Sequence, residues 1–169
     1  MSVSASSTFE KPDFAYPRDV IRDADAALAQ AVKAGDAPVQ LLALMQKTKA
    51  AESIDADSLK TSIAEVMRYG ARLKTPDAKA MFNLYAAELY NKYRMDNHWN
   101  MRGRTLPEGP RPADIAEWDR DAFMQVVDSL LAEAWEVADD TSLEQWSKAV
   151  KADRLTRTYY PALCAVVAS

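Results

Sequence analysis

The chain has one cysteine, one histidine and four glycines in 169 residues, and each shortage removes a class of chemistry. A single thiol, Cys164, excludes an intrachain disulfide and any cysteine-based zinc cluster. Set beside Leu163 and Ala165-Val166-Val167, it reads as a buried structural thiol rather than a reactive one. A chain without disulfides suits the cytosol and the cell envelope alike. No glycine-rich phosphate loop, nucleophile elbow or HExxH motif occurs. Nowhere do about 18 apolar residues run together, so no segment reads as a membrane-spanning helix. Positive charge is not in excess either. A net charge of −4 and a pI near 5.1 give no general attraction to nucleic acid or anionic lipid.

What is present is helical. A hydrophobic fraction of 49% and a charged fraction of 27% are ordinary for a globular chain long enough to bury a sizeable core. Residues 1–15, polar and aperiodic, read as a loose tail or leader remnant, and 16–169 as one helical domain. After Tyr16-Pro17, the residues Val20, Ile21, Ala24, Leu28, Ala31 and Val32 recur at helical spacing until Gly35 stops the run. Asp36 and Pro38 open a second helix carrying Val39, Leu41, Leu42, Leu44 and Met45. A third begins near Asp57, with Leu59, Ile63, Val66, Met67 and Leu73 facing inward. Gly70, near its end, either admits a close neighbour or merely weakens the last turn.

Thr75-Pro76-Asp77 is the strongest start signal, with a hydroxyl expected to cap free amides. The fourth helix then carries Met81, Phe82, Tyr85, Leu89, Tyr90 and Tyr93 to about Asn97. Residues 103–112, "GRTLPEGPRP", form a loop. Asp119 caps a helix containing Phe123, Val126, Val127, Leu130, Leu131 and Trp135, and a capping box at Thr141 and Glu144 starts another. The fold class is all-α: about six helices in antiparallel hairpins, a tetratricopeptide-like stack or an irregular bundle. The pairs 17–53 and 57–97 have the lengths of such repeats, without the consensus residues in register.

Chemistry-bearing residues concentrate in "ELYNKYRMDNHWNMRGRT", Glu88 to Thr105. His98 is the only imidazole, and Asp96, two residues away, is a poor orienter on a helix, so a helix-end histidine is the simpler reading. The acid pairs Asp19 with Asp23 and Asp121 with Asp128, and the adjacent Asp139-Asp140, read as solvated faces and caps. Met95 stands where a Glu-x-x-His metal motif would need glutamate. Arg102, Arg104 and Arg111 form a basic patch that either receives a partner's carboxylate or phosphate, or ties the loop to helix carbonyls or to acids such as Glu88 or Asp114. The row Phe82, Tyr85, Leu89 and Tyr93 is either an open groove or, more simply, a core face. No catalytic residue, cofactor or metal is expected.

"NLYAAELYNKYRMDNHWNMRGRT" followed by "DIAEWDRDAF" resembles the N-terminal helical region of large alpha-2-macroglobulin-like proteins of Bacteroidetes. The resemblance runs through Glu88, Leu89, Tyr90, Tyr93, Asn97, Trp99, Arg104, Thr105, Asp114, Ile115, Trp118 and Asp119. It spans about residues 16–165, because "YPRDVIRDADAALAQAVKAGDAPVQLLALM" is similar to that family's first hairpin. Pro161-Ala162-Leu163-Cys164 matches the following family segment only in part, and the Cys-x-x-Gln context of an internal thioester is absent around Cys164.

The resemblance implies an amino-terminal fragment or standalone relative without protease-trapping domains, and a place in the cell envelope. The expected function is a non-catalytic interaction module that docks on the following domains of a parent chain or on another envelope protein. Proteases would be engaged through the parent. Trp99, Arg102, Arg104 and Trp118 are the expected interaction or loop-anchoring residues. An independent tetratricopeptide-like adaptor binding a peptide in its concave groove is the alternative.

Overall fold

The structure, a computed structural model, describes residues 16–138 and Trp146. The tail expected over 1–15, the capping box at Thr141 and Glu144 and the segment containing Cys164 lie outside the described residues. Among the described residues there are six helices and no strand: α1 (Pro17–Ala34), α2 (Ala37–Ile54), α3 (Leu59–Gly70), α4 (Pro76–Asp96), the single turn α5 (His98–Met101) and α6 (Arg120–Ala138). The fold is all-α. Short 3-10 turns at Ala56–Ser58 and Ile115–Glu117 precede α3 and α6.

Local chemistry sets most boundaries. Gly35 closes α1 in the left-handed conformation, φ 66°, and its amide reaches back to the last turn. Asp36 starts α2 by accepting from the Val39 amide at 3.3 Å. At α4 the expected cap is absent: the Thr75 side chain makes no capping hydrogen bond. Pro76, which lacks an amide, and Asp77 at the positive end of the helix mark that start instead. Asp77 also accepts from the Trp146 indole at 2.9 Å, so its carboxylate serves a distant contact.

Packing follows from which helices are apolar all round. In α2 every residue from Gln40 to Gln46 is buried, and α4 is buried on nearly its whole circumference from Ala78 to Tyr90. These are the inner helices. Against α2 lies α1, antiparallel, since Gln40 reaches the Ala31 carbonyl near the link while Lys47 reaches Asp25 farther along. On one side of α4 lies α3. On the other lies α6, also antiparallel, with Asn83 bonded to Glu133 at one end and Tyr93 stacked on Phe123 at the other. The contacts of α6 skip back past the long loop to α4, which thereby sits between two partners.

Several inward residues differ from the sequence expectation. Val32, Met67, Leu131 and Trp135 are exposed, Trp135 at 75%. In α6 the buried row is Phe123, Val127, Leu130 and Ala134, one position off the row that would bury Trp135. Gly70 lies against Phe82, but a Cβ added there would meet the Phe82 Cβ at 3.4 Å, an ordinary contact; close approach does not demand glycine. Lys47 joins three helices, reaching Asp25 of α1 at 2.7 Å and Glu65 of α3 at 2.8 Å. Burial lowers its pKa, but the hydrogen bonds to those two carboxylates outweigh this and hold it above the usual lysine value.

Candidate functional site

The polar end of the molecule is built where α4 stops. The Asn97 side-chain amide donates to the Tyr93 carbonyl at 3.0 Å, and the chain turns into α5. Met101 enters the core and pins that turn. His98 Nδ1 lies 2.9 Å from the Met95 carbonyl, a contact in which Nδ1 carries the proton and donates. Asp96, its nearest acid in sequence, bonds to Lys92 at 2.7 Å. With Met101 inward, Trp99 projects outward at 68% exposure, between the His98 ring, 4.8 Å away, and the Arg102 guanidinium, 5.5 Å from its ring centre.

The loop that follows is held by side chains acting on backbone atoms. Arg104 donates to the carbonyls of Ala116 at 2.6 Å and Trp118 at 3.3 Å. Asp119 has two tasks: one oxygen caps α6 by accepting from Ala122 at 2.8 Å, and the other accepts from the Leu106 amide at 2.9 Å. The Leu106 amide bond, then that from Ala122, holds its carboxyl below the usual aspartate range. Trp118 is buried, donates from its indole to the Pro112 carbonyl at 2.7 Å, stacks on Tyr90 and meets Phe123 edgewise. Arg111 lies over its outer face at 5.4 Å. Asp114, considered as an arginine partner, pairs instead with Lys60 at 2.6 Å; that hydrogen bond holds its carboxyl low and the Lys60 amine high.

The anticipated aromatic row on α4 is core at Phe82, Tyr85 and Leu89 and half-buried at Tyr93, which packs against that core. Tyr90 alongside is buried, and Trp118 and Phe123 close over its end. Desolvation raises the Tyr90 and Tyr93 phenol pKa values. Asp19 and Asp23 share Arg22, at 3.0 and 3.4 Å, as a solvated ion pair. Among the described residues no three His, Cys, Asp or Glu side chains converge as metal ligands would. None of the described helices is long and apolar enough to cross a membrane.

Two open clefts lie among the described residues, away from the core. One, of about 420 Å³, lies over α3 and α4, with Val66, Gly70 and Phe82 in its wall and Lys74, Lys79 and Glu133 at its rim. The other, of about 460 Å³, opens beside α5 and is lined by Arg94, Arg102, Arg104 and Arg120 with His98 and Trp99. No carboxylate among the described residues lines it. Among the described residues, Arg94 is bonded to the neutral Asn91 oxygen, at 2.8 Å, and Arg104 to carbonyls. Neither Arg102 nor Arg120 has an acidic partner among the described residues.

The four residues singled out in the sequence thus separate. Arg104 and Trp118 are engaged in holding the loop, while Trp99 and Arg102 stand outside as an aromatic–cation pair. Arg94 and Arg120, absent from the sequence expectation, complete the cationic cleft. Arg94 had a legible signal, lying one helical turn before His98; Arg120 had none, because only the return of α6 onto α4 brings it there. In comparisons with known proteins, no family model, curated protein or solved structure matches this chain.

Proposed function

We propose that this chain is a non-catalytic helical interaction module whose contact surface is the α5 turn. One observation carries the reading: Trp99, 68% exposed, with the Arg102 guanidinium over its ring. Tryptophan and arginine are among the residue types enriched where binding energy concentrates at protein interfaces. Burial does not account for this tryptophan, because Met101 of the same turn does the packing.

The likeness of Glu88–Asp119 to alpha-2-macroglobulin-like proteins of Bacteroidetes supports placing the module at the front of a cell-envelope protein of that kind. It would dock there on following domains or on a neighbouring envelope protein, and meet proteases through the parent. That placement rests on the quoted residues alone. The test is affinity capture from a Bacteroidetes envelope extract, with the wild-type chain and a Trp99→Ala/Arg102→Ala variant side by side. Recovery of an envelope protein or protease by the wild type, lost with the variant, is the expected result. Equal recovery by both, or recovery of neither class, overturns the proposal.

A further inference from the structure

We infer that the cleft beside α5 binds an acidic peptide segment, whose paired carboxylates meet Arg102 and Arg120 while an apolar side chain rests on Trp99. The inference names the partner chemistry of the interaction surface proposed above and rests on that reading.

Four guanidinium groups line one cleft in a chain whose net charge is −4, and among the described residues no carboxylate lines it with them. By contrast, the three lysines that join helices or clamp the loop meet carboxylates: Lys47 meets Asp25 and Glu65, Lys60 meets Asp114, and Lys92 meets Asp96 and Glu52. Here the like charges repel one another, and a bound anion relieves all of them together.

The geometry of the cleft favours carboxylates over a single phosphate. Phosphate sites commonly rely on backbone amides converging at a helix N-terminus. At the N-terminus of α6 the Ala122 amide is already taken by the Asp119 carboxylate, at 2.8 Å. The charged donors that line the cleft are side-chain guanidinium forks from three separate segments: Arg94 at the end of α4, Arg102 and the partly engaged Arg104 after α5, and Arg120 opening α6. A planar fork matches a carboxylate through two parallel hydrogen bonds, and forks spread along a cleft match carboxylates spread along a chain. Trp99 supplies the apolar platform.

The test uses the full chain and three probes: the capped peptide EEFEE, its uncharged counterpart QQFQQ, and inorganic pyrophosphate. Binding is followed by Trp fluorescence and by the indole and guanidinium NMR resonances, with far-UV circular dichroism checking that each variant keeps its helices. EEFEE is expected to bind and to shift the Trp99 and Arg102 resonances, and QQFQQ to bind at least about tenfold more weakly. Arg102→Gln/Arg120→Gln, two exposed substitutions, are expected to lower the EEFEE affinity at least about tenfold while the helical signal stays. Equal binding of both peptides, or an unchanged affinity in the double variant, overturns the inference. Pyrophosphate binding more tightly than EEFEE overturns it in favour of a phosphate site. If EEFEE fails while envelope capture still depends on Trp99 and Arg102, the interaction surface stands and only its acidic ligand falls.

Discussion

Replacing Asp119 separates two contributions that one carboxylate makes. Its first oxygen caps α6 through Ala122, a role worth about 1 kcal/mol at a helix start. Its second holds the Leu106 amide at 2.9 Å, a charge-assisted bond worth about 1.5–3 kcal/mol. Asp119→Ala removes both and should cost about 3 kcal/mol, which for a chain of this size lowers Tm by about 6–12 °C. Asp119→Asn keeps a capping oxygen but turns an NH₂ group toward the Leu106 amide, donor against donor. It should therefore cost about 1.5 kcal/mol, roughly half as much.

Urea unfolding followed by circular dichroism and Trp fluorescence, at about pH 7 and about pH 2.5, measures both. The sign with pH is fixed. The folded carboxyl has a depressed pKa, so its contribution is complete above the unfolded aspartate value of about 3.9 and disappears as pH falls through the lower folded value. The gap between wild type and Asp119→Asn should thus close in acid. An Asn variant within about 0.5 kcal/mol of wild type at neutral pH, or a gap that survives unchanged in acid, would refute the assignment of the two oxygens.

Three further contrasts follow from the packing. Trp118→Ala should cost about 3–5 kcal/mol and Trp99→Ala less than about 0.5, since one ring is buried between Tyr90 and Phe123 and the other is exposed; urea midpoints compare them. Gly35→Ala should destabilise by about 1 kcal/mol because φ there is +66°, whereas Gly70→Ala should be neutral or stabilise by up to about 1 kcal/mol; thermal melts of both decide the signs. The raised pKa of Lys47 stabilises fully below the unfolded lysine value of about 10.4 and is lost as pH rises through the higher folded value, so Lys47→Met should flatten the alkaline end of the stability–pH curve.

Where a single residue dictates the backbone, the sequence was legible. Pro17, the Gly35-Asp36 link, Pro76 and Asp119 place helix ends by local chemistry, and those ends lie within a residue or two of expectation. Rotation of a helix about its axis was harder to read. Leu130, Leu131, Ala134 and Trp135 permit two inward faces, and the surface of α4 selects the one that exposes Trp135. Depth was harder still, since nothing in "QLLALMQ" says that Gln40 and Gln46 are buried; that requires knowing that α2 lies between neighbours. The site divides in the same way. Trp99 and Trp118 look alike in the sequence, and only the contact of α6 with α4 buries one and leaves the other in water.

The grip on the long loop has a consequence for how this protein can vary. Leu106 is fixed by Asp119, and Arg111 and Pro112 by Ala122 and Trp118, so every clamp acts from outside the stretch between them. Residues 107–110 are exposed and the space around Gly109 is open, with its φ of 131° reserving that one position for glycine. Length is therefore almost free at that tip, where doubling a loop costs only about 0.6 kcal/mol of closure entropy. Insertions there can accumulate or be engineered beside the arginine cleft while the helices beneath keep their register.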